Sequence, residues 1–203
     1  MSYKMIIFDL DGVLVDACEW HRLALNSALY KVSKYKISLE EHYDIFNGIP
    51  TKVKLNKLTD MGIIESKDHQ LIYDYKQTYT IEMIENEAQI RQEKIDMLNT
   101  LSEKGYILTC YTNSIKKTAK LMLEKTGIYH LFAKIITNQD VRKPKPDPEG
   151  YNFLMSYYNI DKSETLIIED SPKGIKAGKD SGANLIIVKD PDEVNIELFK
   201  EIL

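Results

Sequence analysis

Two aspartates follow directly on a short apolar run near the start of the chain, where "IIFDLDG" places Asp9 and Asp11 with one leucine between them. Two later apolar runs also end in hydroxyl, amide or carboxylate groups, and a lysine- and proline-rich loop, "RKPKPDP" at 142–148, follows a third. The polar residues at the two later ends are Thr112, Asn113, Ser114, Glu169, Asp170 and Ser171. Carboxylates that meet in one crevice repel each other and tend to hold their protons unless a cation compensates them.

A divalent cation is the simplest compensation for carboxylates gathered in one place. The candidate ligands are all oxygens, with no cysteine or histidine among them, which favours Mg²⁺ over zinc. Magnesium held by one or two carboxylates usually accompanies a phosphate. Taken alone, each motif has a plainer interpretation, as a turn, a stiff proline loop or a helix cap. A magnesium site that acts on a phosphate is favoured only if the fold brings all four motifs to one edge of a sheet.

The elements needed for that convergence are visible in the hydrophobic pattern. Five short apolar runs have strand length, are rich in β-branched residues and do not alternate, as expected of strands buried on both faces of a parallel sheet. They lie at 4–9, 106–112, 134–137, 165–170 and 184–189. Segments of helical periodicity lie between them, at 90–105, 114–127 and 148–159. This alternation predicts an α/β fold with a doubly wound, Rossmann-like parallel sheet, whose ligands bind beyond the carboxyl ends of the strands.

Residues 17–88 break the alternation, because they show helical patterning and no strand. Four helical stretches are predicted there, separated by Gly48, Pro50 and Gly62. The sequence therefore predicts a catalytic core formed by 1–16 and 89–203, with a helical cap domain of 17–88 inserted after the first strand.

Composition narrows the class of protein. The 203 residues have a formal net charge of −4, and the basic run "KVSKYK" at 31–36 is interpreted as a solvated helix face, so nucleic acid is not expected as a partner. Cys18 and Cys110 have no metal-site spacing and indicate reduced thiols. No apolar stretch approaches the length of a membrane span. We expect a soluble cytoplasmic protein without a membrane partner; its oligomeric state cannot be inferred.

Together the motifs resemble the haloacid dehalogenase-like superfamily, in its phosphatase and β-phosphoglucomutase branch with a small helical cap. "DLDGVLVD" at 9–16 is similar to the first motif of that family and "TNS" at 112–114 to the second. "KPKPD" at 143–147 resembles the third, and "EDSPKGIKAGKDSG" at 169–182 the fourth. The resemblance covers nearly the whole chain and implies an enzyme acting on phosphate esters.

The resemblance also implies a role for each matched residue. Asp9 would attack phosphorus and become an aspartyl phosphate, while Asp11 would protonate the leaving oxygen and later activate water. Thr112 and the backbone N–H of Asn113 would bind the phosphoryl oxygens. Lys143 is preferred to Lys145 for neutralising charge, because the family's lysine directly precedes the first proline of K-P-x-P-D. The implied Mg²⁺ ligands are Asp9, the Asp11 carbonyl, Asp170 and, directly or through water, Glu169; Gly12 permits the sharp turn after Asp11.

The choice among reactions depends on departures from the family pattern. Asp11 disfavours dehalogenation, since a halide leaving group needs no acid. His21 lies where the mutases carry a histidine that couples cap closure to the acid-base aspartate. Thr51 and Ala17, however, replace the mutase arginine and threonine, so a phosphatase acting on a small phosphorylated metabolite is expected over a phosphomutase. A non-catalytic sensor or partner-binding protein would lack one of the core residues.

The implied cap residues that select the substrate lie near the hinge. Lys52 and Lys76 are candidate point charges for a substrate anion, beside His21. Trp20, Phe46 and Tyr79 are candidate stacking groups, although helical spacing also suits a cap core.

Overall fold

The computed structural model describes residues 3–46 and 49–203, apart from the side chain of Tyr43. Gly48, one of the predicted helix separators, lies outside the described residues. The described chain divides into two compact units. One comprises the residues up to Asp16 together with Ala88–Leu203, and the other comprises Ala17–Glu87.

A five-stranded parallel sheet forms the centre of the first unit, which confirms the predicted fold class. Its strands are β1 (Met5–Phe8), β2 (Ile107–Tyr111), β3 (Lys134–Ile136), β4 (Thr165–Glu169) and β5 (Asn184–Ile187). The order across the sheet is β3-β2-β1-β4-β5. The middle strand, β1, is buried along its whole length, as an apolar run without alternation requires.

The register of the sheet brings the predicted site residues to one edge. Phe8, the last residue of β1, pairs with Cys110 on one side and with Ile168 on the other. Asp9 therefore leaves β1 at the level at which Glu169 ends β4, and its N–H still donates to the carbonyl of Ile168 at 3.0 Å. The carboxyl ends of these strands are where ligands bind in open α/β sheets.

Helices surround this sheet and carry the apolar faces that cover it. They are α5 (Gln92–Glu103), α6 (Lys116–Lys125), α7 (Glu149–Tyr158) and α8 (Pro172–Ser181). Tyr151, Leu154 and Met155 of α7 join a buried cluster with residues of β1, β2, β3 and β4. Gly182 follows the last residue of α8 as its C-cap, and its φ of +76° suits a glycine.

The second unit is helical and has a core of its own. Its helices are α1 (Cys18–Ser33), α2 (Leu39–Glu41), α3 (Thr51–Asp60) and α4 (His69–Glu87), with a π-helical turn over His42–Phe46. Leu29, Phe46, Leu58 and Ile72 are among the residues of its buried cluster. Among the described residues, no helix is long and apolar enough to cross a membrane.

Candidate active site

A buried lysine holds Asp9 at the end of β1. The Lys145 ammonium donates to Asp9 Oδ1 at 2.6 Å, to the carbonyl of Tyr111 at 2.7 Å and to Glu169 Oε1 at 2.5 Å. An ammonium group has three N–H donors, so these contacts use all of them. Lys145 and Glu169 are buried, and Asp9 is only 6% exposed. The result is an ion pair shared between two carboxylates and shielded from water.

This arrangement corrects the sequence-based choice of lysine. The structure places Lys145 beside Asp9, whereas Lys143 is exposed and lines an open surface groove with Arg142 and Phe153. The shorter pattern K-P-x-P occurs in two frames, one beginning at Lys143 and the other at Lys145, but the aspartate that completes K-P-x-P-D follows only in the first. The second frame leads directly into α7, and its lysine is the one that turns inward. The full pattern K-P-x-P-D selects the first frame, so spacing led to Lys143 and not to the lysine that lies beside Asp9.

The charges of this pair are strongly coupled. Burial raises the pKa of Asp9 well above its usual value, and the nearby carboxylate of Glu169 adds to the effect. Burial by itself would lower the pKa of Lys145, but the charges of Asp9 and Glu169 outweigh it and raise that pKa. One ammonium therefore faces two buried carboxylates, which leaves the site short of positive charge.

Two hydroxyl groups from the loop after β2 hold the second aspartate. Thr112 Oγ1 and Ser114 Oγ donate to Asp11 Oδ2 at 3.0 and 2.8 Å. Thr112 thus lies beside Asp11, the predicted acid-base residue, and its hydroxyl group is hydrogen-bonded to the Asp11 carboxylate. Ser114 was named within the second motif but was not predicted as a site residue. Its position just after a predicted strand is the sequence signal that could have identified it as a site residue.

The side chain of Asn113 fixes the loop that carries Lys145. Its amide Nδ2 donates to the carbonyl of Lys145 at 3.0 Å, and its Oδ1 accepts from the N–H of Lys145 at 3.1 Å. This two-point contact ties the end of β2 to the loop before α7. The expected role of Asn113 involved only its backbone N–H, so the sequence missed this contact.

Three carboxylates form a group that fits a divalent cation. Oxygens of Asp9, Glu169 and Asp170 lie within 4.8 Å of one another. Asp170 Oδ1 is buried and has no hydrogen-bond partner among the described residues. Burial, followed by the charge of Glu169, raises the pKa of Asp170 to about 7. An all-oxygen group that is short of positive charge suits Mg²⁺.

Gly12 makes room for this group. Its φ is +87°, and a Cβ added there would lie 2.2 Å from Asp170 Oδ2. The turn after Asp11 therefore needs glycine both for its conformation and for the close approach of Asp170.

Glu169 is the most heavily hydrogen-bonded of the three carboxylates. Besides Lys145, its Oε1 accepts from the Tyr151 hydroxyl at 2.9 Å. Its Oε2 accepts from the N–H of Asp170 at 3.0 Å and from the N–H and Oγ of Ser171 at 3.2 Å. These contacts orient Glu169 toward Lys145 and the start of α8, so Asp170 is better placed than Glu169 to bind a cation directly.

The remaining predicted residues belong to the helical unit. His21 Nδ1 and Lys76 Nζ lie 3.2 Å apart, and Lys76 is 8% exposed. Lys52 is exposed on α3, while Trp20 and Tyr79 are half-buried. Phe46 is fully buried in the core of this unit, so it packs there and does not offer a ring to a substrate.

Comparisons with known proteins agree on one family. The family model described as haloacid dehalogenase-like hydrolase matches residues 6–188. The pyrophosphatase PpaX of Bacillus velezensis is 28% identical over 190 residues, covering 87% of this chain and 79% of that protein. The phosphoglycolate phosphatase of Haemophilus influenzae is also 28% identical, covering 91% of this chain and 85% of that protein.

A solved structure shows the same likeness in three dimensions. The crystal structure of a predicted phosphoglycolate phosphatase from Haemophilus somnus has a TM-score of 0.78 and 26% identity to this chain. The match covers 90% of this chain and 84% of the other.

Proposed function

This chain belongs to the haloacid dehalogenase-like hydrolase family, and we propose that it is a cytoplasmic, Mg²⁺-dependent phosphatase that hydrolyses a small phosphorylated metabolite. The observation that carries the proposal is the pairing of Asp9 with buried Lys145 at the end of β1, beside Asp170. This pairing supports the proposed roles of Asp9 as the nucleophile and of Lys145 as the charge-neutralising group.

In the first proposed step, a carboxylate oxygen of Asp9 attacks the phosphorus of the ester. A bond forms between that oxygen and phosphorus while the bond from phosphorus to the leaving oxygen breaks. Asp11 donates its proton to the leaving oxygen, which departs as an alcohol. Thr112 and Ser114 hold Asp11 by hydrogen bonds and so support this position.

In the second step, Asp11 takes a proton from a water molecule, whose oxygen attacks the phosphorus of the aspartyl phosphate. The bond from Asp9 to phosphorus breaks, and inorganic phosphate is released. Lys145 neutralises charge on the transferring group, and the backbone N–H of Asn113 donates to a phosphoryl oxygen. Phosphoryl transfer depends mainly on such positioning and electrostatic stabilisation.

A magnesium ion would be held by the carboxylates of Asp9 and Asp170 and by the carbonyl of Asp11. Glu169 would orient Lys145 and contribute to the metal only through water, because its oxygens already accept five hydrogen bonds. When bound, the ion supplies positive charge that offsets the carboxylates and the phosphoryl oxygens.

The test is release of phosphate from p-nitrophenyl phosphate and from a panel of small phosphate esters that includes phosphoglycolate, pyrophosphate and sugar phosphates. We expect Mg²⁺-dependent turnover by the wild type and none by Asp9→Asn, which keeps the shape of the side chain but weakens the nucleophile. Equal, near-zero rates for both proteins across the panel would favour a non-catalytic binding protein instead.

The phosphomutase alternative is tested separately. Thr51 and Ala17 lack the groups that the resemblance assigns to a mutase, and a threonine does not replace an arginine that grips a phosphate. Incubation with a sugar 1-phosphate and its bisphosphate should therefore yield free phosphate. Formation of the 6-phosphate isomer would establish the mutase reaction.

A further inference from the structure

Tyr151 contacts the same carboxylate oxygen as the active-site lysine. Its hydroxyl donates to Glu169 Oε1 at 2.9 Å, while Lys145 donates to that oxygen at 2.5 Å. Tyr151 is fully buried in α7, and the Lys145 ammonium lies 5.3 Å from the centre of its ring. The phenol is therefore linked to Asp9 through only two groups, Glu169 and Lys145.

The position of Lys145 depends on how strongly Glu169 attracts it. A carboxylate oxygen that accepts a second hydrogen bond has less negative charge available for the first donor. If the Tyr151 phenol were removed, Glu169 Oε1 would attract the Lys145 ammonium more strongly. The ammonium would then be drawn toward Glu169 and away from Asp9. A displacement that weakens charge stabilisation in the transition state lowers the rate of the chemical step.

The surroundings prevent Glu169 from relaxing by rotation. Its other oxygen is held by the N–H groups of Asp170 and Ser171 at the start of α8. Tyr151 is fixed as well, because the ring of Tyr111 packs edge-on against it with centroids 5.0 Å apart. A change at Oε1 must therefore act on Lys145.

We propose that Tyr151 is a positioning residue for the phosphatase reaction, holding Lys145 at Asp9 by sharing Glu169 Oε1. This inference rests on the proposed function. Tyr151 is not expected to touch the substrate, so it should affect turnover and not substrate binding.

The experiment compares Tyr151→Phe with Tyr111→Phe. Both remove a buried phenol oxygen, but the Tyr111 hydroxyl has no hydrogen-bond partner among the described residues, and its main-chain carbonyl is retained. We expect Tyr151→Phe to lower kcat about tenfold with KM unchanged, a size typical of removing a group that orients a catalytic residue. Tyr111→Phe should have a kcat several times higher than that of Tyr151→Phe. Rates are normalised to the folded fraction, measured by near-ultraviolet circular dichroism.

A double-mutant cycle with Glu169→Gln tests whether the effect of Tyr151→Phe on kcat depends on Glu169. If Tyr151 acts through Glu169, adding Tyr151→Phe to Glu169→Gln should change kcat by less than about twofold, because the two effects are not additive. Additive losses, or equal kcat values for Tyr151→Phe and Tyr111→Phe in an active enzyme, would overturn this inference alone. A wild type inactive on every ester would overturn the proposed function, and this inference with it.

Discussion

At the scale of single residues, the site is defined by charges that have been removed from water. Asp9, Glu169 and Lys145 are all buried, and each is held by hydrogen bonds to at least one of the others. Breaking such a group by removing one member costs about 3–5 kcal/mol, because an uncompensated charge stays buried. We therefore expect the identity of the lysine at this position to affect both the stability of the protein and the proposed phosphatase activity.

The two lysines of the proline loop provide a matched pair for a test. We expect Lys145→Met to lower kcat about 10²- to 10³-fold, since it removes a cation aimed at the transferring group. Lys143→Met removes the same charge two residues away, from an exposed side chain, and should change kcat by less than about twofold, as expected for a surface site. Phosphate release and urea unfolding of both variants provide the measurement.

The reverse order of effects would contradict the placement of Lys145. A large loss for Lys143→Met with an active Lys145→Met would restore the sequence-based choice. Comparable losses in both variants would mean that the loop as a whole, and not one inward-pointing ammonium, supports the reaction.

The same pair shows what the sequence could and could not predict about the site. Asp9, Asp11 and Asp170 follow strands, and parallel strands end at one edge, so their convergence was predictable. The path of the loop before α7 depends on backbone geometry and on the side-chain clamp of Asn113, which spacing does not encode. Tyr151 lies within the helical stretch predicted at 148–159, and the sequence predicts no further role for it, because the partner of its hydroxyl lies on another element.

At the scale of elements, helix α8 links the fold to the site. It begins at Pro172, with Ser171 as N-cap accepting from the N–H of Gly174 at 3.1 Å. Glu169 lies against this first turn: a Cβ on Gly174 would be 1.7 Å from Glu169 Oε1. The absence of a side chain at Gly174 is therefore what allows Glu169 to stay between Lys145 and the helix.

Two glycines of this helix allow a controlled test of that statement. Gly174→Ala should lower the free energy of unfolding by about 1–3 kcal/mol, a typical cost of overpacking, and should lower kcat by displacing Glu169. The Cβ of Gly178→Ala would meet the ends of two apolar side chains, Leu185 at 3.1 Å and Ile167 at 3.7 Å, and the variant gains helix propensity of up to about 1 kcal/mol. Urea unfolding and kcat should separate the two variants.

Equal stability and activity of the two alanine variants would show that Glu169 can move without consequence. That outcome would also weaken the assignment of Glu169 as the group that orients Lys145. If Gly174→Ala lost stability but kept full kcat, the close contact between Gly174 and Glu169 would serve packing alone.

Most elements were predictable because each has a strong local pattern. The five apolar runs became the five strands, and no end differed by more than two residues. The helical stretch before Gly48 is the exception in type, since it contains a π-helical turn at His42–Phe46. Hydrophobic periodicity does not distinguish a π-turn from an α-helix over so few residues.

At the scale of the whole molecule, stability should respond to protons and to metal through Asp170. Its pKa is raised to about 7 in the folded protein, whereas an unfolded aspartate titrates near its ordinary value of 3.8. Between these values the folded state binds more protons than the unfolded state, so stability falls as pH rises. This contribution is fully present below the unfolded pKa and is lost as pH rises through about 7.

We therefore expect the melting temperature of the metal-free protein to fall between pH 5 and about pH 7. Mg²⁺ should remove this fall, because the cation takes the place of the proton on the same carboxylate. At a concentration about 100 times its Kd, a ligand stabilises by about 2.7 kcal/mol, which is roughly 5–10 °C for a chain of this size. Calorimetric scans after chelation, with and without Mg²⁺, provide the measurement, with Asp170→Asn as the control. That variant should show a flatter pH profile and a smaller metal shift, whereas an unchanged profile would place the titrating, metal-binding group elsewhere.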